Sequence, residues 1–267
     1  MNIDKINIYY ETHACRKPSS DTVVLIHGYL SSVFSFRRII PLLRETCSVV
    51  AIDLPGFGDS DKTKAFTYSL ANYGNFIHKV LNRLNIEKAV LVGHSMGGQI
   101  ALHAARQAPS RVHKLILLAS SGYLKPFDKK MILLSYLPFF SVFVKRMFAK
   151  KNAEEVLHEV VNDPSIIDRL MIDRYVKPLQ SRSFYKAMVG LLRQHGGDLT
   201  SQQLRDIQVP VQLLWGKQDR IVPLSIGEQL QNDLPNAKLH VINDSGHLLP
   251  EEKPEEVFRH LSAFLNQ

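Results

Sequence analysis

A serine, an aspartate and a histidine in this sequence each stand in turn-forming sequence after an apolar run. Gly-His-Ser-Met-Gly is centred on Ser95, Trp-Gly-Lys-Gln precedes Asp219, and Asn-Asp-Ser-Gly precedes His247. A serine hydroxyl is a weak nucleophile at neutral pH, so it needs a base to take its proton and a third group to orient that base. The three residues predict nucleophilic catalysis with Ser95 as nucleophile, His247 as base and Asp219 as orienting acid.

The sequence around Ser95 predicts a sharp turn from a strand to a helix. The apolar run 89–92 precedes the turn, and glycines stand two residues before and two residues after the serine. Such a turn lifts the hydroxyl out of the sheet and crowds the neighbouring side chains, which explains the glycines. The inward positions of the helix that follows are mostly small: Ile100, Ala101, Ala104 and Ala105.

Other histidines and aspartates compete for the roles of base and acid. His94 adjoins the serine, so its side chain should point away from the hydroxyl, and His27 is better placed to shape the loop after its strand. Asp244 lies only three residues before the favoured histidine, and Asp53 begins a Pro-Gly turn where a structural role is typical. Asp198 is a further alternative for the acid, and Asp219 is favoured over all of them.

The oxyanion of an acyl-transfer reaction needs donors fixed in advance. A turn of this kind uses the backbone N–H after the nucleophile and a second one from an early strand-to-helix loop. Met96 follows the serine, and Tyr29 follows Gly28 after an early apolar run. We therefore predict that the backbone N–H groups of Tyr29 and Met96 form the oxyanion hole.

The elements that must position these residues are short apolar runs alternating with segments of helical spacing. Near-continuous apolar runs are typical of parallel strands covered by helices on both faces, so the sequence predicts an α/β fold with a mostly parallel sheet. The carboxyl ends of parallel strands meet at one edge, where the three candidate residues can converge. The predicted strands are 22–26, 48–52, 89–92, 115–118, 211–215 and 238–242, and helices are predicted from Leu70 to Leu84 and after Pro254.

The alternation fails from about residue 123 to residue 197, where the sequence predicts helices and loops. We expect a core of residues 1–122 and 198–267 with a helical cap, 123–197, inserted between its two parts. Residues 124–195 hold thirteen Lys and Arg against seven Asp and Glu, so most of the net charge of +8 lies there. Basic residues flank the apolar run 131–144, as in a helix that lies on a membrane surface. Packing of the apolar stripe against the core is the favoured interpretation, so membrane-surface contact is possible but not favoured.

Composition excludes several classes. Hydrophobic residues make up 45% and charged residues 22%, as in soluble globular proteins. No basic cluster or nucleic-acid-binding motif occurs, so we expect no nucleic-acid partner. No metal-ligand cluster, phosphate-binding glycine loop or dinucleotide fingerprint occurs, so we expect no metal and no cofactor.

Cys15 and Cys47 are expected to be free thiols, and residues 1–11 lack the apolar stretch of a signal peptide, which predicts a cytoplasmic protein. The oligomeric state is not indicated.

The motifs together resemble the α/β-hydrolase superfamily over nearly the whole chain. The resemblance rests on His27-Gly28, on 53–60, on Gly93 to Gly98, on 216–223 and on Gly246-His247. It is similar to the branch of capped serine carboxylesterases and carbon–carbon bond hydrolases, which implies an eight-stranded type of sheet and a cap that shapes the acyl pocket. Meta-cleavage-product hydrolases tend to carry a glycine-rich sequence after the first His-Gly and a tryptophan after the catalytic histidine. Here Tyr-Leu-Ser-Ser and Leu248 stand in those places, which favours an esterase.

The sequence therefore predicts a serine hydrolase that cleaves the ester, or a related acyl bond, of a small and largely apolar substrate. Two other enzymatic activities remain open, a cofactor-free perhydrolase and a carbon–carbon bond hydrolase, because the same three residues can support both. A third alternative is a ligand-sensing or signalling protein that keeps these residues and uses the cap as a binding surface. The physiological substrate, its acyl length and its leaving group are not readable, because fold and site leave them open.

Overall fold

Nine short strands are present in the computed structural model, which describes residues 1–16, 21–148 and 153–267. The six strands predicted from apolar runs are all confirmed, four of them extending one to three residues further than expected. The strands are β1 (Asn2–Ile3), β2 (Ile6–Asn7), β3 (Tyr10–His13), β4 (Thr22–Ile26), β5 (Ser48–Ile52), β6 (Ala89–His94), β7 (Val112–Leu118), β8 (Val211–Gly216) and β9 (Ala237–Ile242).

Seven of these strands form one sheet in the order β3-β5-β4-β6-β7-β8-β9. All neighbours are parallel except β3, which runs antiparallel to β5 at the edge. The described sheet therefore has one strand fewer than the eight-stranded type that the resemblance implied. The first residues form a separate hairpin of β1 and β2. Asp4 and Lys5 both adopt left-handed backbone angles, which turn the chain back after the two residues of β1.

Helices connect the parallel strands and cover both faces of the sheet. Every residue of β6 and β8 is buried, and because successive side chains alternate between faces, both faces must be covered. The predicted helices at Leu70 and Pro254 are confirmed as α2 and α12. The helices are α1 (Ile40–Leu43), α2 (Leu70–Arg83), α3 (Met96–Gln107), α4 (Lys129–Leu134), α5 (Phe140–Phe148), α6 (Ala153–Val160), α7 (Arg169–Val176), α8 (Arg182–Gln194), α9 (Ser201–Arg205), α10 (Leu224–Asp233), α11 (Leu249–Glu252) and α12 (Pro254–Leu265).

The chain between β7 and β8 holds helices α4 to α9 and, within the residues described there, no strand. This segment contains the apolar run 131–144, whose two helices are separated by a turn at Pro138 and Phe139. In the described ranges, no helix is both long enough and apolar enough to cross a bilayer. The two cysteines are free thiols, as predicted. The limits 123 and 197 of the inserted segment, and its role as a cap, stay predictions.

A buried carboxylate ties the inserted segment to the sheet. The side chain of Glu251 has no exposed surface, and its oxygens lie 3.1 Å from Nε of Arg37 and 3.1 Å from Nε of Arg38. Arg37 also binds Asp168, in the inserted segment, at 2.8 Å. Burial raises the pKa of Glu251, and the two arginines oppose that shift. The cluster joins the turn after β4, helix α11 and the loop before α7.

Removing this carboxylate should destabilise the fold strongly. Glu251→Ala removes the buried carboxylate that two half-buried arginines share, so we expect the free energy of unfolding in urea to fall by about 3–5 kcal/mol. The matched control is Glu45→Ala, because Glu45 pairs with Arg16 at 2.6 Å on the surface. An exposed pair of that kind contributes at most about 1 kcal/mol. Equal losses in the two variants would contradict the assignment of Glu251.

Candidate active site

Ser95 stands at the turn between β6 and α3 with a strained backbone. Its φ is 53° and its ψ is −121°, a combination that residues with a side chain adopt only where neighbouring structure imposes it. Three backbone hydrogen bonds hold it there: its N–H donates to the carbonyl of Leu118, and its own carbonyl accepts from Gly98 and Ser121. The predicted strand–turn–helix around this serine is therefore confirmed.

The glycines around the turn are needed for close approach of backbone to backbone. A Cβ on Gly97 would lie 2.1 Å from the carbonyl oxygen of Ile26, and one on Gly93 would lie 2.3 Å from that of Gly97. Both distances are far below van der Waals contact, so helix α3 can pack this close to the sheet only without these side chains. The spacing of glycines in the sequence has this physical cause.

The two predicted oxyanion donors lie beside Ser95. Met96 is the first residue of α3, where a backbone N–H has no partner within the helix. Tyr29 follows Gly28, whose missing Cβ would lie 2.9 Å from Cβ of Ser95. Tyr29, Met96 and Ser95 line one cavity. The loop after β4 and the start of α3 thus flank the serine on two sides.

His247 and Asp219 are joined by a buried hydrogen bond. Nδ1 of His247 lies 2.8 Å from Oδ2 of Asp219, and the aspartate side chain has no exposed surface. The other carboxylate oxygen accepts from the backbone N–H groups of Ile221 and Val222 at 2.8 and 2.9 Å. A carboxylate fixed in this way holds the imidazole in one orientation and favours the tautomer with the proton on Nδ1.

The competing histidines have structural contacts instead. His27 contacts the carbonyl of Gly28 at 2.7 Å and accepts from the backbone N–H of Leu54 at 3.0 Å. His94 donates from Nε2 to the carbonyl of His247 at 2.8 Å, which places it behind the candidate base. Burial lowers the pKa of His27 to about 4 and that of His94 to about 3, so both are neutral at physiological pH.

The competing aspartates lie elsewhere. Asp53 accepts from the backbone N–H groups of Val33 and Asp59, both at 2.7 Å, as expected for a structural turn residue. Asp198 accepts from Leu124, and Asp244 is exposed with a left-handed backbone. Burial raises the pKa values of Asp53 and Asp198 to about 6. Of the four aspartates, only Asp219 contacts the histidine of the next loop.

Ser95 lies where two cavities meet. An apolar cavity of about 670 Å³ is lined by side chains of α4, α5, α8 and α10, among them Met131, Phe140, Met188, Leu192 and Ile226. A small cavity of about 230 Å³ lies on the side of His247 and Leu248. Ser95 and Tyr29 line both. Within the described residues no hydrogen bond joins Oγ of Ser95 to His247, although both residues line the small cavity.

Glu252 is a contributor to the site that the sequence did not indicate. Its carboxylate accepts from the backbone N–H of Gly246 at 2.8 Å and from that of Asn162 at 2.7 Å, and burial raises its pKa. The N–H of His247 donates to the carbonyl of Val160 at 2.8 Å. The histidine loop is therefore held against the end of α6, in the inserted segment. The only sequence feature that could have drawn attention to Glu252 is the acidic pair that it forms with Glu251, shortly after the histidine.

A family model for the alpha/beta hydrolase fold matches residues 21–254. The chain belongs to this family. The alignment includes both loops that carry Asp219 and His247. It also includes every strand of the sheet except β3. In the described residues of this hydrolase, no group of three or more His, Cys, Asp or Glu side chains is arranged to hold a metal ion.

Curated relatives and solved structures are similar over almost the full chain. An uncharacterised hydrolase, YugF, of Bacillus subtilis (strain 168) is 44% identical over 99% of this chain and 96% of its own. A 2-hydroxy-6-oxononadienedioate/2-hydroxy-6-oxononatrienedioate hydrolase of Cupriavidus pinatubonensis is 30% identical over 92% and 87%. The structure of a thermophilic esterase from Thermogutta terrifontis has 25% identity and a TM-score of 0.80, covering 98% of this chain and 93% of that one.

Because His94 is buried, we expect the stability of this hydrolase to depend on pH. Burial lowers its pKa to about 3 from 6.5, and its Nδ1 is buried with no hydrogen-bond partner among the described residues, so the folded state resists a proton that the unfolded state accepts. Stability should therefore fall as the pH decreases below about 6.5, and this histidine accounts for about 2 kcal/mol between pH 7 and pH 5.

The variant His94→Gln removes this titration. Urea unfolding at the two pH values should show a loss of stability on acidification that is smaller than in the wild type by about 2 kcal/mol. The remaining dependence reflects groups such as His27. An unchanged pH dependence in the variant would show that His94 takes up a proton equally well in the folded state.

Proposed function

We propose that this α/β hydrolase cleaves carboxylic esters of apolar acyl groups through an acyl-enzyme at Ser95. The observation that carries the proposal is the arrangement at the sheet edge. A strained serine and a histidine oriented by a buried carboxylate line the same small cavity, although 152 positions of sequence separate them. The similarity to the thermophilic esterase from Thermogutta terrifontis adds support.

The proposed mechanism has two half-reactions. Oγ of Ser95 attacks the ester carbonyl while Nε2 of His247 takes its proton, and the N–H groups of Tyr29 and Met96 stabilise the oxyanion. The carbon–oxygen bond to the alcohol breaks, and the imidazolium returns the proton to the leaving oxygen. Water then attacks the acyl-enzyme with the same base, which releases the acid and restores the serine. Asp219 stabilises the imidazolium and keeps its proton on Nδ1.

The two cavities suggest which parts of the substrate go where. The apolar cavity is large enough for a medium or long acyl chain, and residues 123–197 form the proposed cap, because α4, α5 and α8 supply much of its lining. The small cavity is lined by Ser31 and Tyr175, whose buried hydroxyls interact with each other. We assign it to a compact, polar leaving group.

Loss of the serine hydroxyl should abolish turnover. Ser95→Ala is expected to lower kcat for p-nitrophenyl esters by at least about 10⁴-fold. Asp219→Asn should lower kcat by about 10⁴-fold, because the amide no longer keeps the proton of the imidazole on Nδ1. An active-site fluorophosphonate should label the wild type and not Ser95→Ala. The control is Ser245→Ala, which removes an unpartnered buried hydroxyl two residues from His247 and should leave activity nearly intact.

Other outcomes would change the assignment. Single-turnover trapping of the ester without release would indicate a sensor. Multiple turnover only with hydrogen peroxide would indicate a perhydrolase, and cleavage of carbon–carbon bonds but not esters would indicate a hydrolase like the relative of Cupriavidus pinatubonensis. Activity retained in Ser95→Ala would rule out the acyl-enzyme itself.

Chain-length preference should map onto the apolar cavity. We expect kcat/KM for p-nitrophenyl esters to rise from acetyl to medium chains, since each buried methylene contributes about 0.8 kcal/mol. Leu192→Trp narrows that cavity and should shift the optimum to shorter chains, whereas Leu248→Trp narrows the small cavity and should leave the chain-length optimum unchanged. A preference for acetyl alone in the wild type would contradict the assignment of the cavity.

A further inference from the structure

Helix α4 and the turn after it expose an unusual number of large apolar side chains. No residue of α4 is buried, so the sequence-based expectation that this apolar stripe packs against the core is wrong for α4. Exposure reaches 72% for Leu133 and 80% for Phe139. We name the following five side chains the tip patch: Leu133, Leu134, Tyr136, Leu137 and Phe139.

Basic residues flank the tip patch along the chain. Lys125, Lys129, Lys130 and Arg146 are exposed, and Asp128 is the one acidic residue between 124 and 148. Asp128 caps α4 by accepting from the N–H of Lys130, so part of its charge is engaged by the helix. The segment that carries the patch therefore has a positive net charge, which suits an anionic partner.

The tip patch is held in place rather than free to collapse onto the core. Arg193, on α8, stacks over the ring of Tyr136 at 3.9 Å and donates to Oγ of the buried Ser135 at 2.8 Å. It also donates to the carbonyl of Ser135. These contacts fix the end of α4 against α8 while the apolar side chains point outward.

Helices α4 and α5 form one wall of the apolar cavity. Met131, Phe140, Phe143 and Val144 line it, and Met131 and Phe143 are themselves exposed. Apolar surface therefore continues from the tip patch into the cavity that ends at Ser95. A chain leaving a lipid layer at the patch would stay in contact with apolar groups along this route.

We propose that the tip patch docks on a membrane surface that contains anionic phospholipid, with the apolar side chains entering the acyl region and the basic residues facing the headgroups. An apolar face with basic residues beside it is the arrangement that binds such an interface. The substrate is then an amphiphilic ester drawn from that surface. This second part rests on the proposed function, whereas docking does not.

Charge argues against a second copy of the chain as the occupant. A symmetric dimer through the tip patch would bring the same basic residues of two subunits face to face. Like charges at the rim of an apolar contact oppose association. An anionic lipid surface removes this repulsion and offers a thick apolar layer for side chains that project as far as Phe139 does.

The test is flotation with phosphatidylcholine vesicles that contain or lack phosphatidylglycerol. The wild type should bind vesicles with phosphatidylglycerol much more tightly, and salt should weaken this binding. Leu133→Asp/Phe139→Asp should weaken it by at least about 30-fold, because two apolar side chains leave the lipid. Lys129→Gln/Lys130→Gln should weaken it by about 25-fold, at roughly fivefold for each lysine.

The matched control is Val241→Asp, a substitution at an exposed apolar residue of the edge strand β9, which should bind like the wild type. Thermal melting by circular dichroism checks the fold of each variant without using activity. Hydrolysis of soluble p-nitrophenyl acetate should be unchanged in Leu133→Asp/Phe139→Asp, since neither side chain lines the cavities.

Three results would overturn the docking proposal. They are absence of vesicle binding by the wild type, equal binding by the wild type and Leu133→Asp/Phe139→Asp, and a dimer in sedimentation that this variant converts to monomer without any vesicle binding. Vesicle binding without ester hydrolysis would instead contradict the proposed function and leave docking supported. Ester hydrolysis without vesicle binding would do the reverse.

Discussion

The close contact between helix α3 and the sheet is the constraint on which the site depends. The helix can start directly above the end of β6 only because Gly97 places no side chain against the backbone of Ile26. That contact forces the left-handed backbone of Ser95, and three hydrogen bonds from and to the serine backbone maintain it. The buried apolar side chains of the neighbouring strands, β4 and β7, supply the stability that offsets the strain.

The sequence predicted well the parts of the fold that burial determines. Strands such as β4 and β5 are nearly continuous apolar runs, and their limits match the prediction because a polar residue, Thr22 or Ser48, marks the start of each. The site followed from the same logic, since Asp219 and His247 stand in loops after β8 and β9, at one edge of the sheet. Their contact needed only that topology.

The elements that the sequence did not predict are those whose side chains stay near the surface. Tyr10–His13 is an edge strand of mixed polar and aromatic residues, and backbone pairing to β5 rather than apolar patterning determines it. The prediction that the apolar stripe of α4 packs against the core is wrong for a different reason, because apolar side chains are not always buried. Periodicity identifies the face of a helix but not what covers that face. Glu252 contacts backbone N–H groups, and the acidic pair in which it stands does not by itself indicate that role.

The two ends of the inserted segment relate to the chemistry in different ways. Its later part is joined to the histidine loop, because Val160 accepts from the N–H of His247 and Leu248 packs with Leu157 and Met171. A shift of α6 would therefore move the base. In the earlier part, no residue of α4 is buried, and Arg193 fixes the end of that helix to α8. These contacts are separate from the hydrogen bond between His247 and Asp219, so a surface that binds α4 leaves the base in place.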